Sequence, residues 1–123
     1  MHILFVDDMP DTRDVFRIAF GIHGHQTRVA GNGFDAVSAV REEPFDIIIM
    51  DVEMPGMNGW ETVRQIRELG NGHAVPIVMF TAYSSRDDYE KAREAGANDV
   101  LQKPMLPQDL ISYVERLRQS NLA

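Results

Sequence analysis

An uninterrupted apolar run, residues 47–50 (IIIM), lies between Asp46 and Asp51 near the middle of the chain. The run shows no alternation of polar and apolar residues, which is typical of a strand buried on both faces of a parallel sheet. Amphipathic stretches separate it from four other short apolar runs. This alternation predicts an α/β fold with helices on both faces of the sheet and this run near its centre. The predicted strands are residues 3–6, 27–30, 46–50, 77–81 and 100–102.

Apolar residues between these strands recur at helical spacing and predict the core-facing stripes of four helices. The stripes are Val15, Ile18, Ala19 and Ile22; Val37 and Val40; Val63, Ile66 and Leu69; and Leu110, Ile111, Val114 and Leu117. Asp11, Asn58 and Ser85 lie where helix N-caps are expected. Gly96 lies where a glycine would end the fourth helix, which we predict over residues 85–95.

Composition narrows the class of protein. The 123 residues suffice for one ordinary core, and we interpret residues 1–123 as a single domain with no linker, repeat or output domain. No apolar run approaches the roughly 20 residues of a membrane span, and no basic leader is present, so we expect a cytoplasmic protein. The absence of cysteine excludes thiolate chemistry, so a metal would need oxygen or imidazole ligands. A formal net charge of −7 opposes direct binding to nucleic acid.

The carboxyl ends of four predicted strands carry five polar residues, namely Asp7, Asp8, Asp51, Thr81 and Lys103. Taken singly, each is most simply a turn, a cap or a solvated strand end. Together they fall at one edge of the sheet, where the ligand crevice of an open α/β sheet forms. Three neighbouring carboxylates require a compensating cation, and oxygen ligands of this kind suit Mg²⁺. The coincidence therefore predicts a functional site.

The arrangement of these five residues resembles that of the receiver domain of two-component response regulators. The most specific parts of the resemblance are residues 51–59 (DVEMPGMNG) and residues 96–99 (GAND) ahead of Lys103-Pro104. The resemblance extends from residue 3 to the last predicted helix. It implies the flavodoxin-like (βα)5 fold, a doubly wound parallel sheet in strand order 2-1-3-4-5. It also implies a signalling switch in a phosphorelay, which takes a phosphoryl group from a sensor histidine kinase or a histidine phosphotransfer protein. Such a switch catalyses only its own phosphorylation and dephosphorylation.

The same resemblance assigns roles to individual residues. Asp51 would be the phosphorylated nucleophile. Mg²⁺ would be bound by Asp8, Asp51 and the backbone carbonyl of Glu53, with Asp7 acting through water. Thr81 and Lys103 would contact the phosphoryl group, and the Lys103-Pro104 peptide bond would be cis. Physical chemistry supports these roles, because phosphoryl transfer requires in-line positioning and cancellation of charge. Lys103 would also keep Asp51 ionised near neutral pH.

Receiver domains pass their signal to a face made by the fourth helix, fifth strand and fifth helix. Partner proteins recognise this face, and it is also the face through which a homodimer would form. Here the resemblance assigns to that output region Tyr89, Lys91, Val100, Gln102, Pro104, Leu106 and Tyr113. Val100 departs from the family, which usually has an aromatic residue three positions before the lysine. Valine has no aromatic ring whose movement could transmit the signal. The alternatives are signalling through displacement of the fourth helix alone, or an output that is a phosphotransfer without large rearrangement. Glu53 and Tyr83 would border the pocket and tune the phosphoryl lifetime.

Three other functions stay open. Residues 31–36 (GNGFDA) match the fingerprint of a dinucleotide-binding site. That fingerprint belongs after the first strand, whereas these residues follow the second, and a dinucleotide site would not explain Asp7, Asp8 and Lys103. A Mg²⁺-dependent phosphatase with an aspartyl nucleophile shares the chemistry, yet enzymes resembling haloacid dehalogenases place Asp-x-Asp after their first strand. A pseudo-receiver, a binding module independent of phosphorylation, is favoured by Val100 alone. We assign no function to His23-Gly24-His25, which we expect in an exposed loop.

Overall fold

The structure, a computed structural model, describes residues 1–82 and 85–122, with side chains described as far as residue 120. Tyr83, expected at the border of the pocket, lies outside the described residues. The strands are β1 (His2–Val6), β2 (Gln26–Ala30), β3 (Ile47–Met50), β4 (Ile77–Thr81) and β5 (Asp99–Gln102). The α-helices are α1 (Pro10–Ile22), α2 (Gly33–Glu42), α3 (Gly59–Arg67), α4 (Arg86–Ala95) and α5 (Pro107–Leu122), and a short 3₁₀ helix, η1, covers Gly70–Gly72.

The five strands form one parallel sheet in the order β2-β1-β3-β4-β5. The predicted fold class and strand order are therefore confirmed. β3 is the central strand, and all four of its residues are buried, as its continuous apolar sequence predicts. The predicted strand boundaries agree with the observed ones to within one residue.

The helices divide between the two faces of the sheet. On one face, α2, α3 and α4 pack on a core that includes Leu4, Val40 and Ile48. On the other face, α1 and α5 pack on a core that includes Phe5 and Leu110. Successive β1 side chains enter the two cores alternately, because neighbouring side chains of a strand point to opposite faces of the sheet. The sheet is thus buried on both sides, and its carboxyl edge remains open for a site.

The predicted core stripe of α1 is wrong for three of its four residues, and only Ala19 packs against the core. Val15, Ile18 and Ile22 are 52%, 53% and 78% exposed, and the buried residues of the helix are Phe16 and Phe20. Two apolar stripes lie about one residue apart on this helix, and helical periodicity alone does not choose between them. Burying the two phenylalanines removes more apolar surface from water, so the helix turns that stripe inward.

The stripes predicted for the other helices are confirmed. Val37, Val40, Val63, Ile66, Leu110, Ile111 and Val114 are buried, and Leu69 and Leu117 are partly buried against the cores. None of the helices in residues 1–82 and 85–122 combines the length and the apolar character that crossing a membrane requires.

Two of the three predicted N-caps are confirmed. The Asn58 side chain accepts from the amide of Glu61, and the Ser85 side chain accepts from that of Asp88. Asp11 is not a cap, because Pro10 occupies the first position of α1 and moves the cap to residue 9. Gly96 ends α4 with a φ of 109°, a left-handed conformation that favours glycine.

Candidate functional site

Three aspartates converge at the carboxyl edge of the sheet. Val6 of β1 lies beside Met50 of β3 in the strand register, so the residues that follow them, Asp7 and Asp51, emerge side by side. The Asp51 amide donates to the carbonyl of Val6 at 3.0 Å. One carboxylate oxygen from each of Asp7, Asp8 and Asp51 lies within 4.8 Å of the others. Asp7 and Asp51 are buried, at 1% and 8% exposed, and Asp8 is half-buried.

Lys103 reaches this cluster from the next pair of strands. Its amide donates to the carbonyl of Thr81 at 2.7 Å, which continues the pairing of β4 with β5. The Lys103 Nζ lies 2.6 Å from Asp7 Oδ2 and 3.5 Å from Asp51 Oδ2. The Lys103-Pro104 peptide bond is cis, as expected. Thr81 is buried beside them, so residues far apart in sequence share one site.

A cleft of about 270 Å³ opens between these side chains, and its lining residues are Asp8, Asp51, Glu53, Thr81, Ala82 and Lys103. Asp8 and Glu53 also line a shallower groove of about 550 Å³, together with Val52, Met54, Pro55, Asn58 and Trp60. The Glu53 side chain is exposed, and its amide donates to Asp51 Oδ1 at 3.4 Å. Five of the six residues predicted for phosphoryl and metal binding therefore line one cavity, and the sixth, Asp7, lies buried beside it in contact with Lys103.

Burial dominates the electrostatics of Asp51. It raises the pKa of this carboxyl from 3.8 to about 6. Lys103 opposes the shift, whereas the charge of Asp7 adds to it. The sequence predicted that Lys103 keeps Asp51 ionised, and the lysine acts in that direction, but the penalty of burial outweighs it. Asp51 remains mainly ionised at pH 7 because its pKa stays below that value.

The donor set fits a divalent cation. The three carboxylates face one ammonium group, that of Lys103, so two negative charges remain uncompensated when all are ionised. All the side-chain donors are carboxylate oxygens, which suit hard cations such as Mg²⁺. The cleft beside them leaves space for water or for the oxygens of a further ligand.

Two tyrosines frame β5 on the predicted output face. The Tyr89 hydroxyl, on α4, donates to the carbonyl of Val100 at 3.0 Å. The Tyr113 hydroxyl, on α5, donates to the carboxylate of Asp99. Burial, followed by this hydrogen bond, raises the pKa of Tyr113. Pro104 is placed differently, since it lines a cavity of about 200 Å³ with Thr12, Phe16, Phe80, Lys103 and Met105.

The glycine-rich segment after β2 has a packing explanation. A Cβ on Gly33 would lie 2.2 Å from Oγ1 of Thr62, so this glycine permits close contact between α2 and α3. The Asn32 side chain caps α2 by accepting from the amide of Asp35. Local packing and capping thus account for both residues without a dinucleotide.

His23 and His25 differ in their surroundings. His23 is exposed, as predicted. The same expectation was wrong for His25, which is half-buried, with its ring 3.0 Å from the N-terminal amine and 3.0 Å from Glu115. The sequence showed no acidic neighbour for this ring, because Glu115 is 90 residues away.

Two neighbours of the site were missed by the sequence reasoning. Arg13, on α1, donates to the backbone carbonyl of Asp7 at 2.8 Å. Phe80, which precedes Thr81 in β4, places its ring 5.3 Å from the Lys103 ammonium. Neither residue belongs to a motif, and the apolar pattern of β4 identifies Phe80 only as a core residue.

Known proteins resemble this chain throughout. A family model described as the response regulator receiver domain matches residues 3–115. The DNA-binding response regulator MtrA of Mycolicibacterium smegmatis is 39% identical over 120 residues, which are 97% of this chain and 51% of MtrA. This chain therefore spans about half the length of that relative.

Two solved structures share the fold. The chemotaxis protein CheY4 of Vibrio cholerae superposes with a TM-score of 0.90 and 30% identity, covering 94% of this chain and 96% of CheY4. The receiver domain of the sensor histidine kinase PA1611 of Pseudomonas aeruginosa superposes with a TM-score of 0.87 and 31% identity, covering 96% and 97% of the two chains. That structure has a magnesium ion coordinated in its active-site cleft.

Proposed function

This chain belongs to the response regulator receiver domain family, whose members are phosphoacceptor signalling switches, and we propose that Asp51 is its phosphoacceptor. The observation that carries the proposal is the position of Asp51. It lies in a cluster with Asp7 and Asp8, opens into a cleft, and has the ammonium of Lys103 3.5 Å away. Its pKa of about 6 leaves the carboxylate ionised at neutral pH, as a nucleophile must be.

The phosphodonor we propose is the phosphohistidine of a sensor histidine kinase or a histidine phosphotransfer protein. An Asp51 carboxylate oxygen attacks the phosphorus, the phosphorus–nitrogen bond breaks, and its electron pair stays on the imidazole nitrogen. Lys103 is placed to compensate charge on the phosphoryl oxygens, and the Thr81 hydroxyl can donate a hydrogen bond to one of them. Support comes from their common cleft, since Asp51, Thr81 and Lys103 all line it.

The metal we propose is Mg²⁺, held by Asp8, Asp51 and the backbone carbonyl of Glu53, with Asp7 acting through water. The uncompensated charge of the carboxylate cluster supports this assignment. The magnesium ion in the related PA1611 receiver domain supports it independently. When bound, the ion would cancel negative charge on the cluster and on the phosphoryl group.

Dephosphorylation is a separate step that needs only water, which attacks the phosphorus; the bond between phosphorus and the Asp51 oxygen breaks, inorganic phosphate leaves and Asp51 regains its carboxylate. We infer that Glu53, exposed at the mouth of the cleft, influences this step. The chain would catalyse no reaction other than its own phosphorylation and dephosphorylation.

We propose that residues 1–123 form one receiver domain. It would act in the cytoplasm, where its phosphodonors carry their phosphohistidines. Its α4, β5 and α5 face would contact a downstream partner or a second copy.

Intact mass after incubation with acetyl phosphate tests the proposal. We expect the wild type to gain one phosphoryl group in the presence of Mg²⁺ and none in EDTA. Asp51→Asn should gain none, and Asp14→Asn, which changes an exposed aspartate of α1, should behave as the wild type. A folded wild type that gains no phosphoryl group with Mg²⁺ would contradict the proposal and favour the pseudo-receiver.

A further inference from the structure

The ammonium of Lys103 lies close to both carboxylates and an aromatic ring. Its Nζ lies 2.6 Å from Asp7 and 3.5 Å from Asp51. The same atom lies over the Phe80 ring, 5.3 Å from its centroid. A cation within about 6 Å of a ring centroid is attracted by the negative face of the ring. The carboxylates and the ring therefore both attract the same ammonium.

The Phe80 ring is itself held in place. The residue is buried in β4, at 2% exposed, directly before Thr81. Its ring meets that of Phe16 edge to face, at 5.6 Å and 80°. Phe16 in turn stacks on Phe5 of β1, at 5.0 Å and 20°. A buried ring packed against an aromatic cluster in this way keeps its position, so Phe80 offers Lys103 a fixed surface.

Lys103 also separates two cavities. It lines the cleft with Asp51 and Thr81, and it lines the cavity of about 200 Å³ that Phe80 shares with Thr12 and Met105. A lysine side chain is a flexible stem that carries a single charged group, so ordering it requires contacts on more than one side. The Phe80 ring supplies such a contact at the boundary between the cavities.

We propose that Phe80 is a positioning residue for Lys103, whose ring keeps the ammonium beside Asp7 and Asp51, ready for the phosphoryl group. The inference rests on the proposed function, because it gives Lys103 its role in phosphoryl transfer. Phe80 itself touches no reacting atom, and its effect passes through the ammonium. Weakening the attraction of the ring should leave Lys103 less ordered and slow the phosphorylation of Asp51.

Fluorinated phenylalanines separate this role from packing. Incorporation of monofluoro-, difluoro- and trifluorophenylalanine at position 80 reduces the negative potential of the ring face stepwise while nearly preserving its shape. The rate of phosphorylation by acetyl phosphate with Mg²⁺ should fall with each fluorine, to about a fifth of the wild-type rate for three. The same series at Phe16, which belongs to the same aromatic cluster, is the matched control and should show no trend.

A flat series at position 80, or equal trends at both positions, would overturn the inference. A second readout does not depend on phosphorylation. Nuclear Overhauser effects between the Lys103 ε-methylene and the Phe80 ring should be present in the wild type, and their absence would also overturn it. If the wild type takes no phosphoryl group, the proposed function fails by itself, and these nuclear Overhauser effects still decide whether the ring holds the lysine.

Discussion

The hydroxyl of Tyr89 in α4 donates to the backbone carbonyl of Val100 in β5 at 3.0 Å. The amide of the same Val100 donates to Asp99 Oδ1 at 2.8 Å, and the other oxygen of this carboxylate accepts the Tyr113 hydroxyl. β5 is an edge strand, so side chains from α4, α5 and the strand itself satisfy polar groups along its outer side. Tyr89 therefore binds the strand at the position where this chain has valine instead of the usual aromatic residue, and Tyr113 binds it one residue earlier.

Tyr89→Phe should loosen α4 from β5. The change removes one hydroxyl and keeps the ring, and we expect it to lower the free energy of unfolding by about 1 kcal/mol, as for a neutral hydrogen bond. Urea denaturation measures this loss. Relative to the wild type, amide hydrogen exchange should accelerate more in β5 than in β1. Tyr113→Phe, which removes a bond to a carboxylate, should lower stability more. Unchanged exchange in β5 would mean that the Tyr89 hydroxyl does not hold the strand.

The sheet and the acidic site could be predicted because both follow from local patterns. β1, β3 and β4 are short apolar runs, and Asp7, Asp51 and Lys103 each come directly after a predicted strand. Parallel strands then bring these residues to one edge whatever the details of side-chain packing. Strand boundaries and site members therefore needed no knowledge of contacts between elements.

Other features depend on contacts that the sequence does not reveal. The inward stripe predicted for α1 was wrong except at Ala19, because two apolar stripes compete and only packing of Phe16 and Phe20 decides between them. The contact of Phe80 with Lys103 joins a residue of β4 to the residue that follows β5, and the bond of Tyr89 to Val100 joins a side chain to a backbone carbonyl. Backbone acceptors carry no sequence signal, since every residue has one.

Asp51→Asn should stabilise the metal-free protein at neutral pH. Burial raises the pKa of Asp51 to about 6, so the folded state holds this proton more tightly than the unfolded chain, whose value is 3.8. Ionisation therefore destabilises the fold fully above pH 6 and not at all well below pH 4. At pH 8 in EDTA we expect the variant to be more stable by on the order of 2 kcal/mol.

Thermal unfolding from pH 4 to pH 8 measures this difference, which should shrink towards pH 4. Added Mg²⁺ should stabilise the wild type and narrow the difference, since the cation compensates the ionised carboxylate. Asp14→Asn, at an exposed position, should show neither effect. An Asp51→Asn variant less stable than the wild type at pH 8 in EDTA would show that burial is not the dominant influence on this carboxyl.

Arg67→Lys should destabilise the protein without affecting its site. The guanidinium of Arg67 donates to the carbonyls of Gly96 and Gly72 and to the side chain of Asn98, so it joins α3 to η1 and to the turn before β5. Burial lowers its pKa, but the planar fork still satisfies several acceptors at once. A lysine has one ammonium group and cannot reach them all, so we expect a loss of about 2 kcal/mol.

The matched control is Arg64→Lys, which changes an exposed arginine of the same helix and should have little effect. Urea denaturation measures both variants. Because Arg67 contacts the turn that precedes β5, whereas the cleft lies beyond the carboxyl end of that strand, the folded Arg67→Lys protein should still gain one phosphoryl group from acetyl phosphate. Equal stability of the two variants would show that the fork is not needed.

Gly59→Ala should disturb the site through the backbone. Gly59 is the first residue of α3, and its amide donates to the carbonyl of Val52 at 2.8 Å. A Cβ at this position would lie 2.3 Å from the carbonyl oxygen of Asp51 and 2.8 Å from the Cα of Val52. Both atoms belong to the backbone, so the start of α3 must move away from the residues that follow β3. We expect a loss of more than about 2 kcal/mol and slower phosphorylation of Asp51.

Gly21→Ala provides the contrast, because nothing lies within 4 Å of a Cβ at that position in α1. Alanine is the better helix former, so this variant should gain up to about 1 kcal/mol and keep the wild-type rate of phosphorylation. Urea denaturation and intact-mass kinetics measure both variants. If Gly59→Ala loses stability but keeps the wild-type rate, Asp51 is positioned by β3 and its neighbouring strands alone. If the stability and the phosphorylation rate of Gly59→Ala fall together, close packing of α3 on the residues after β3 is part of what positions the nucleophile.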